Sequence, residues 1–139
     1  MARATLYVPE ELKTLFVEAQ DRKIRWMKVI IEDETFRTTH SEAPTACVAT
    51  DFNALVNHVE QDSGCLFLFC KDIDAPALRW TLVAFVPDTS PVREKMLYSS
   101  SRESLKKALG YNYFIGEFQT TEPVGCLDGI LPSHCMYVP

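Results

Sequence analysis

The most informative segment of this 139-residue chain runs from Trp80 to Gly110 and reads WTLVAFVPDTSPVREKMLYSSSRESLKKALG. Its beginning overlaps a nearly continuous apolar run, Leu78–Val86, which predicts a strand buried on both faces because a half-exposed strand would alternate apolar and polar residues. Ser90 and Pro91 then form a helix start signal, with Ser90 as the N-cap and Pro91 as the first helical residue. Gly110 is a residue at which helices commonly end. The segment therefore predicts a buried strand followed by a long helix.

The rest of the chain supplies further helices and strands. Before this segment, the predicted elements are a helix starting at Pro9, a strand over Ile24–Ile31, a hairpin partner over Thr35–Ser41, a short helix capped by Thr50 or Asp51 and ending near Glu60, and a second buried strand over Cys65–Cys70. After it, Tyr111–Phe118 predicts a last strand, and the remainder, rich in proline and glycine, leaves room for one short helix at most. This order predicts a single α/β domain of the α+β type over residues 1–139, with a mixed sheet of roughly five to six strands flanked by helices on both faces.

The composition is that of one compact globular domain. Hydrophobic residues make up 47% of the chain, and 8 Phe, 5 Tyr and 2 Trp supply more apolar area than a disordered chain carries. No apolar run approaches the roughly 20 residues that a membrane-spanning helix needs. The N-terminus also lacks the hydrophobic core of a secretion signal, so we expect a cytoplasmic protein.

Charge is unevenly distributed along the chain. The 14 basic and 19 acidic residues give a formal net charge of −5, which argues against a nucleic-acid-binding protein. From Val92 to Leu109, however, five basic residues stand against two acidic ones, so this helix carries +3 and the other 121 residues carry −8. Any basic binding site is therefore local, and the long helix is the place to expect it.

On a helical wheel, the long helix has two different sides. Its predicted core stripe consists of Leu97, Tyr98, Ser101, Leu105, Ala108 and Leu109. The opposite side collects Arg93, Lys95, Arg102, Lys106 and Lys107 around Met96, with a single acid, Glu103, and with Ser99 and Ser100 beside Met96. One interpretation is an ordinary solvated basic face with a stray methionine. The other is a protein-binding surface, on which the cations attract an acidic partner and Met96 supplies the desolvated contact.

Catalytic and metal-binding signatures are weak in this sequence. His40, His58 and His134 are far apart and lack His-x-x-x-His or Cys-x-x-Cys neighbours, so no metal site is predicted. Neither glycine-rich phosphate-binding motif occurs. The five cysteines, an odd number without paired spacing, are expected to be free thiols. The best nucleophile candidates, Cys65 and Cys70 near His58, lie in an apolar run in which a thiol stays protonated. We therefore expect no enzyme, no catalytic residue and no cofactor.

The stretch from Trp80 to Ser101 resembles the signature of the actin-depolymerising-factor homology domain, the cofilin-type fold. The shared pattern is a strand that ends in a Pro-Asp turn, followed by a helix with spaced basic residues, the pair Lys95-Met96 and an aromatic residue before serine. Within that family, the segments most similar to the first repeat of the twinfilins are Val92–Tyr98, Arg102 and Leu105–Lys107.

The resemblance implies a non-catalytic, actin-binding function. Such domains bind actin monomers, with a preference for ADP-actin, and thereby sequester monomers and restrain nucleotide exchange and filament assembly. The resemblance assigns ionic contacts to Arg93 and Lys95, an apolar anchor to Met96 and a polar contact to Ser100. The further predicted actin-binding residues are Ser99, Arg102, Lys106 and Lys107 on the same helix, and Thr5, Leu6 and Tyr7 in the N-terminal segment.

Departures from the family pattern imply weak binding to filament sides. The central loop Lys71–Arg79 is short and mixed in charge, and no Lys or Arg follows Thr121. Cofilins also carry a phosphorylatable serine near the initiator methionine, where this chain offers only Thr5. That form of regulation is therefore not expected here.

The same resemblance leaves alternatives and further partners open. A cofilin-fold module can instead regulate another actin-related assembly, as glia maturation factor does, or sever and depolymerise filaments. Phosphoinositides are a second class of ligand that suits the basic helix. Twinfilins also engage capping protein, through regions beyond this chain. The expected location is the cytoplasm, on the actin cytoskeleton, and nucleic acid is not an expected partner.

Overall fold

The computed structural model describes residues 7–59 and 63–120. Within these ranges the helices are α1 (Glu10–Ala19), α2 (Val48–Asn53) and α3 (Val92–Leu109). The strands are β1 (Trp26–Glu32), β2 (Thr35–Glu42), β3 (Cys65–Phe69), β4 (Trp80–Phe85) and β5 (Phe114–Thr120). Two 3₁₀ segments, Ala54–His58 and Tyr111–Tyr113, follow α2 and α3. Among the helices described, none has the length and apolar character needed to cross a membrane.

The strands form one mixed sheet in the order β2-β1-β3-β4-β5. β1 is antiparallel to both β2 and β3, and β3 is antiparallel to β4. β4 and β5 are parallel, and α3 connects them, because a parallel pair needs a long crossover between its strands. The predicted mixed sheet is confirmed, with five strands in the described part of the chain.

Helices cover both faces of the sheet, as predicted. On one face, α1 and α3 bury side chains such as Phe16 and Leu105 against the strands. On the other face, α2 and the 3₁₀ segment after it bury Phe52 and Leu55. β3 and β4 lie between the two clusters and are buried along their whole length. This double burial is why their sequences are continuous apolar runs.

A two-residue turn closes the β1–β2 hairpin. Asp33 and Glu34 have φ angles of +52° and +61°. Positive φ at both central residues is the feature of the type I′ turn, whose twist matches that of the paired strands. The predicted hairpin partner Thr35–Ser41 is thereby confirmed as β2.

The predicted cap of α2 is wrong. The helix follows Cys47 without a side-chain cap, and Asp51 lies inside the helix, buried. Its Oδ2 lies 2.8 Å from Arg25 Nε, and its Oδ1 accepts a hydrogen bond of 2.6 Å from the Thr45 hydroxyl. Because α2 begins at Val48, Thr50 and Asp51 both lie inside the helix and neither is its N-cap.

Other helix and strand limits differ from the predictions by a few residues. Pro91 occupies the N-cap position of α3 in place of Ser90, and Pro9 likewise precedes α1. The predicted end of α3 before Gly110 is confirmed, and that glycine has a φ of +113°. Tyr111–Tyr113 forms a 3₁₀ turn, which delays the predicted last strand. The short helix predicted to end near Glu60 is α-helical only to Asn53 and continues as the 3₁₀ segment Ala54–His58. The short helix predicted near the C-terminus lies outside the described residues.

Candidate functional site

The sheet-facing side of α3 fixes the helix in place. The Tyr98 hydroxyl accepts a hydrogen bond of 3.0 Å from the Ile31 N–H of β1. This bond holds the middle of α3 over the end of the β1–β2 hairpin. Of the predicted core stripe, Tyr98, Ser101, Leu105 and Leu109 are buried, Leu97 is partly buried and Ala108 is exposed. The prediction is wrong for Ala108, which is exposed in the last turn of α3.

The first turn of α3 is fixed to the loop before β3. Glu94 Oε1 accepts a hydrogen bond of 2.5 Å from the Gly64 N–H. A Cβ added at Gly64 would lie 2.9 Å from the Tyr98 ring, so the loop approaches the helix this closely only with glycine. The N-terminal half of α3 therefore has a defined position relative to the sheet.

The side of α3 that points away from the sheet is called here the exposed α3 face. It comprises Val92, Arg93, Met96, Ser99, Ser100, Glu103, Ser104 and Lys107, with the partly buried Lys95 at its edge. Met96 is 66% exposed and Val92 is 69% exposed. The two residues are four apart and hence adjacent on the helix surface, where they form an apolar pair. Val92 was missed in the sequence, although its position on the wheel beside Met96 would have indicated it.

The cations of the exposed α3 face share it with one acidic residue, Glu103, whose carboxylate pairs with Lys106. Arg93, Lys95 and Lys107 form no ion pair with any residue in the ranges 7–59 and 63–120. Their charges are therefore available to a partner. Ser100 points to the same side, and its hydroxyl donates a 3.3 Å hydrogen bond to the Leu97 carbonyl of its own helix.

The other two predicted cations of α3 are paired within the domain. Lys106 Nζ lies 2.6 Å from Glu117 Oε1 of β5 and 3.0 Å from Glu103 Oε2, and Arg102 binds the second oxygen of Glu117. Desolvation lowers the pKa of Lys106, but the hydrogen bonds to Glu117 and Glu103 outweigh it and the pKa is raised. The basic side predicted from the sequence thus divides into an unpaired part and a part that holds α3 on β5.

Tyr7 lies beside the same end of the sheet. Tyr7 is 60% exposed, and its backbone N–H donates to the Glu34 carbonyl at 3.0 Å while its carbonyl accepts from the Phe36 N–H at 2.9 Å. Phe36 pairs with Ile31, whose N–H is bound by Tyr98. Tyr7 and the middle of α3 therefore contact the same end of the β1–β2 hairpin. Thr5 and Leu6 lie outside the described residues.

The candidate nucleophiles, Cys65 and Cys70, are not positioned for catalysis. Cys65 and Cys70 are both buried in β3 or directly after it, and burial raises the pKa of the Cys70 thiol to about 11. A thiol with such a pKa is protonated and unreactive near neutral pH. His58 instead packs against the Trp26 ring, with the ring centroids 4.9 Å apart.

The expectation that the histidines do not converge is wrong for two of them. The rings of His40 and His58 have centroids 4.4 Å apart, and Glu42 contacts His40. Desolvation and the neighbouring His40 lower the pKa of His58. The sequence conceals this cluster because His40 belongs to β2 and His58 to the 3₁₀ segment after α2, and the fold brings the two together on Trp26.

Comparisons with known proteins agree with the fold. A family model described as cofilin/tropomyosin-type actin-binding protein matches residues 5–125. Twinfilin from Dictyostelium discoideum is 30% identical over 115 residues, which are 81% of this chain and 34% of that protein. Twinfilin from Aedes aegypti is 34% identical over 113 residues, which are 80% of this chain and 33% of that protein. The chain thus spans about a third of the length of these curated relatives.

Solved structures show the same architecture. Eh twinfilin superposes with a TM-score of 0.77 at 26% identity, covering 85% of this chain and 88% of that one. Plasmodium berghei actin depolymerization factor 2 superposes with a TM-score of 0.76 at 18% identity, covering 88% and 90%. The family consists of actin-binding regulators and not of enzymes, which agrees with the prediction of a non-catalytic domain. On the family match over residues 5–125, the chain belongs to the cofilin/tropomyosin-type actin-binding protein family.

Proposed function

We propose that this domain binds monomeric actin, with a preference for ADP-actin, through the exposed α3 face and the N-terminal segment. By binding the actin monomer, the domain would sequester that monomer and restrain nucleotide exchange on actin and filament assembly. The observation that carries the proposal is an apolar pair, Val92 and Met96, surrounded by cations without ion pairs in the described part of the chain. Family membership supplies the partner, actin.

The exposed α3 face has the composition of a small binding site. Apolar side chains that lose water on binding supply most of the free energy of an interface, and surrounding charges set the rate and the orientation of the encounter. Met96 is suited to the first role because its flexible, polarisable side chain adapts to a groove. Arg93, Lys95 and Lys107 are suited to the second.

Arg102 and Lys106 have a supporting role in this proposal. Both are mostly buried, with 22% and 15% of their side chains exposed, and both are neutralised by Glu117. Releasing them to a partner would cost these ion pairs. They position α3 on β5, and the direct contacts belong to the exposed α3 face and to Tyr7, Thr5 and Leu6.

The proposal includes weak binding to filament sides. Its support is the mixed charge of the β3–β4 loop, Lys71–Arg79, and the lack of Lys and Arg after Thr121. Two further partners belong to it: phosphoinositide headgroups, attracted by the same cations, and capping protein, bound by regions outside this chain. The site of action is the cytoplasmic actin cytoskeleton.

The test is a titration of fluorescently labelled ADP-actin and ATP-actin monomers with the domain. We expect Arg93→Ala/Lys95→Ala to weaken binding by about 30-fold, corresponding to two contacts of about 1 kcal/mol each. The control Lys13→Ala/Lys23→Ala removes the same charge from other surface positions and should keep the affinity within about twofold. Equal affinities of the wild type and the Arg93/Lys95 variant would overturn the assignment of the site.

A second arm of the same titration tests the apolar pair. Met96→Ala should weaken binding by about tenfold, since it removes the central desolvated contact. Val17→Ala is the matched control, because Val17 is 68% exposed on α1 and is not part of the exposed α3 face. Co-sedimentation with filaments completes the design: binding to filaments that exceeds binding to monomers would favour a depolymerising or severing role.

A further inference from the structure

Two histidines and a glutamate meet on the face of the sheet that α2 covers. His40 and Glu42 are two residues apart on β2, so both side chains project from the same face. His58 is the last residue of the 3₁₀ segment after α2 and reaches the same place. One donor atom from each of the three residues lies within 4.8 Å of the other two.

Trp26 provides a rigid wall for this cluster. It is 1% exposed and lies directly opposite Glu42 in the β1–β2 register. The His40 ring stacks on it, with centroids 5.4 Å apart and an interplanar angle of 26°. The His58 ring meets it nearly edge-on, with centroids 4.9 Å apart and an angle of 61°. Both imidazoles are therefore oriented by a buried aromatic ring before any ligand arrives.

We propose that His40, Glu42 and His58 bind one divalent transition-metal ion of the Zn²⁺ type, with water completing its coordination. Two imidazole nitrogens and one carboxylate oxygen are a ligand set that Zn²⁺ accepts, whereas Ca²⁺ and Mg²⁺ require oxygen ligands. The two histidines are partly buried and Glu42 is exposed, so the site is open to entry from solvent.

The distances are close to those that such an ion requires. Bonds of about 2.0 to 2.2 Å in a tetrahedral site place its ligand atoms roughly 3.3 to 3.5 Å apart. His40 Nε2 lies 2.5 Å from Glu42 Oε2, so this pair would open by about 1 Å while the longer separations close by a similar amount. Rotation of the exposed Glu42 side chain, with small adjustments of the two imidazole rings, provides movements of this size without displacing the backbone.

Lys28 sets the strength of the site. It lies opposite His40 in the β1–β2 register, so its ammonium group is close to the place of the ion and opposes its charge. The carboxylate of Glu42 offsets this repulsion. We therefore expect binding in the micromolar range, weaker than that of a buried structural zinc site.

The bound ion would join the edge strand β2 to the segment after α2. It lies on the sheet face opposite α3, because Trp26 belongs to the α2-side core and Tyr98 to the other. The inference is thus independent of the proposed actin-binding surface, and either can fail alone.

Calorimetric titration of the full chain with Zn²⁺ under reducing conditions tests the proposal. We expect one site, weakened at least about tenfold by His40→Ala and by His58→Ala and abolished in the double variant. Glu42→Gln should also weaken it, and Lys28→Ala should strengthen it several-fold. The absorption spectrum with Co²⁺ should lack the intense near-ultraviolet band of thiolate ligands.

Two controls separate this site from thiol binding and from nonspecific binding to histidine. Cys47→Ser and His134→Ala should bind Zn²⁺ like the wild type. Undiminished Zn²⁺ binding by the double histidine variant, or a Co²⁺ spectrum with the thiolate band, would overturn the proposal. His40→Gln and His58→Gln keep the side-chain volume, and circular dichroism confirms folding, so loss of binding in them is not a folding defect.

Discussion

Gly64 is a position at which one added methyl group would disturb the packing of α3. Its Cβ would stand 2.9 Å from a ring carbon of Tyr98. That ring cannot easily move, because it is 3% exposed and its hydroxyl binds the Ile31 N–H. We expect Gly64→Ala to lower the free energy of unfolding by about 1 to 3 kcal/mol, the usual cost of overpacking a well-filled site.

Chemical denaturation checks this expectation, with Gly116→Ala as the control. Gly116 lies in β5 with no atom within 4 Å of an added Cβ. Alanine there removes conformational freedom from the unfolded chain and meets no neighbour, so its effect should stay within about 1 kcal/mol. Similar stabilities of the two variants would show that the loop before β3 shifts without cost and does not fix α3.

At the scale of elements, the pair Arg25–Asp51 joins α2 to the sheet. The two side chains are 5% and 6% exposed, and Arg25 Nη1 also donates to the Cys70 carbonyl at 2.9 Å. Removing one partner of a buried pair leaves the other charge without compensation. We expect Asp51→Ala to cost about 3 to 5 kcal/mol in the free energy of unfolding, measured by urea denaturation.

Glu10→Ala is the comparison for that prediction. Glu10 forms an exposed pair with Lys13 on α1, at 3.3 Å, and such pairs contribute about 0 to 1 kcal/mol. If Asp51→Ala lowers the free energy of unfolding no more than Glu10→Ala does, the Arg25 side chain is hydrated in the variant. The Arg25–Asp51 pair would then contribute no more to stability than an exposed ion pair does.

The helices and strands that are predicted correctly from the sequence are those with a strong local sequence pattern. β3 and β4 are continuous apolar runs, and α3 has a core stripe and a terminal glycine. Asp51 was misassigned because a helix cap and a buried ion pair use the same residue type, and the distant Arg25 decides between them. The sequence places Lys106 among the cations available to a partner. Its pairing with Glu117 depends on the position of β5 beside α3, and no local sequence pattern indicates that position. The proximity of His40 and His58 could not be predicted for the same reason, because it depends on how two distant segments pack together.

For the molecule as a whole, net charge and local charge have opposite signs at the proposed site. The chain carries −5, yet Val92–Leu109 carries +3, and the acidic residues that neutralise part of it bind Arg102 and Lys106. An acidic partner would be repelled by the molecule and attracted by the exposed α3 face. The salt dependence of association distinguishes the two effects, because screening weakens whichever dominates.

We expect the rate of association with actin monomers, measured by stopped flow, to fall about tenfold between roughly 0.05 and 0.3 M salt. The reason is that salt screens the attraction between the cations of the exposed α3 face and acidic groups of the partner at encounter. Arg93→Ala/Lys95→Ala and Lys13→Ala/Lys23→Ala each remove two positive charges, so both take the net charge from −5 to −7. Only the first should flatten the salt dependence. A rate that rises with salt in the wild type would mean that repulsion between whole molecules governs the encounter, and the local charge of α3 would then have no steering role.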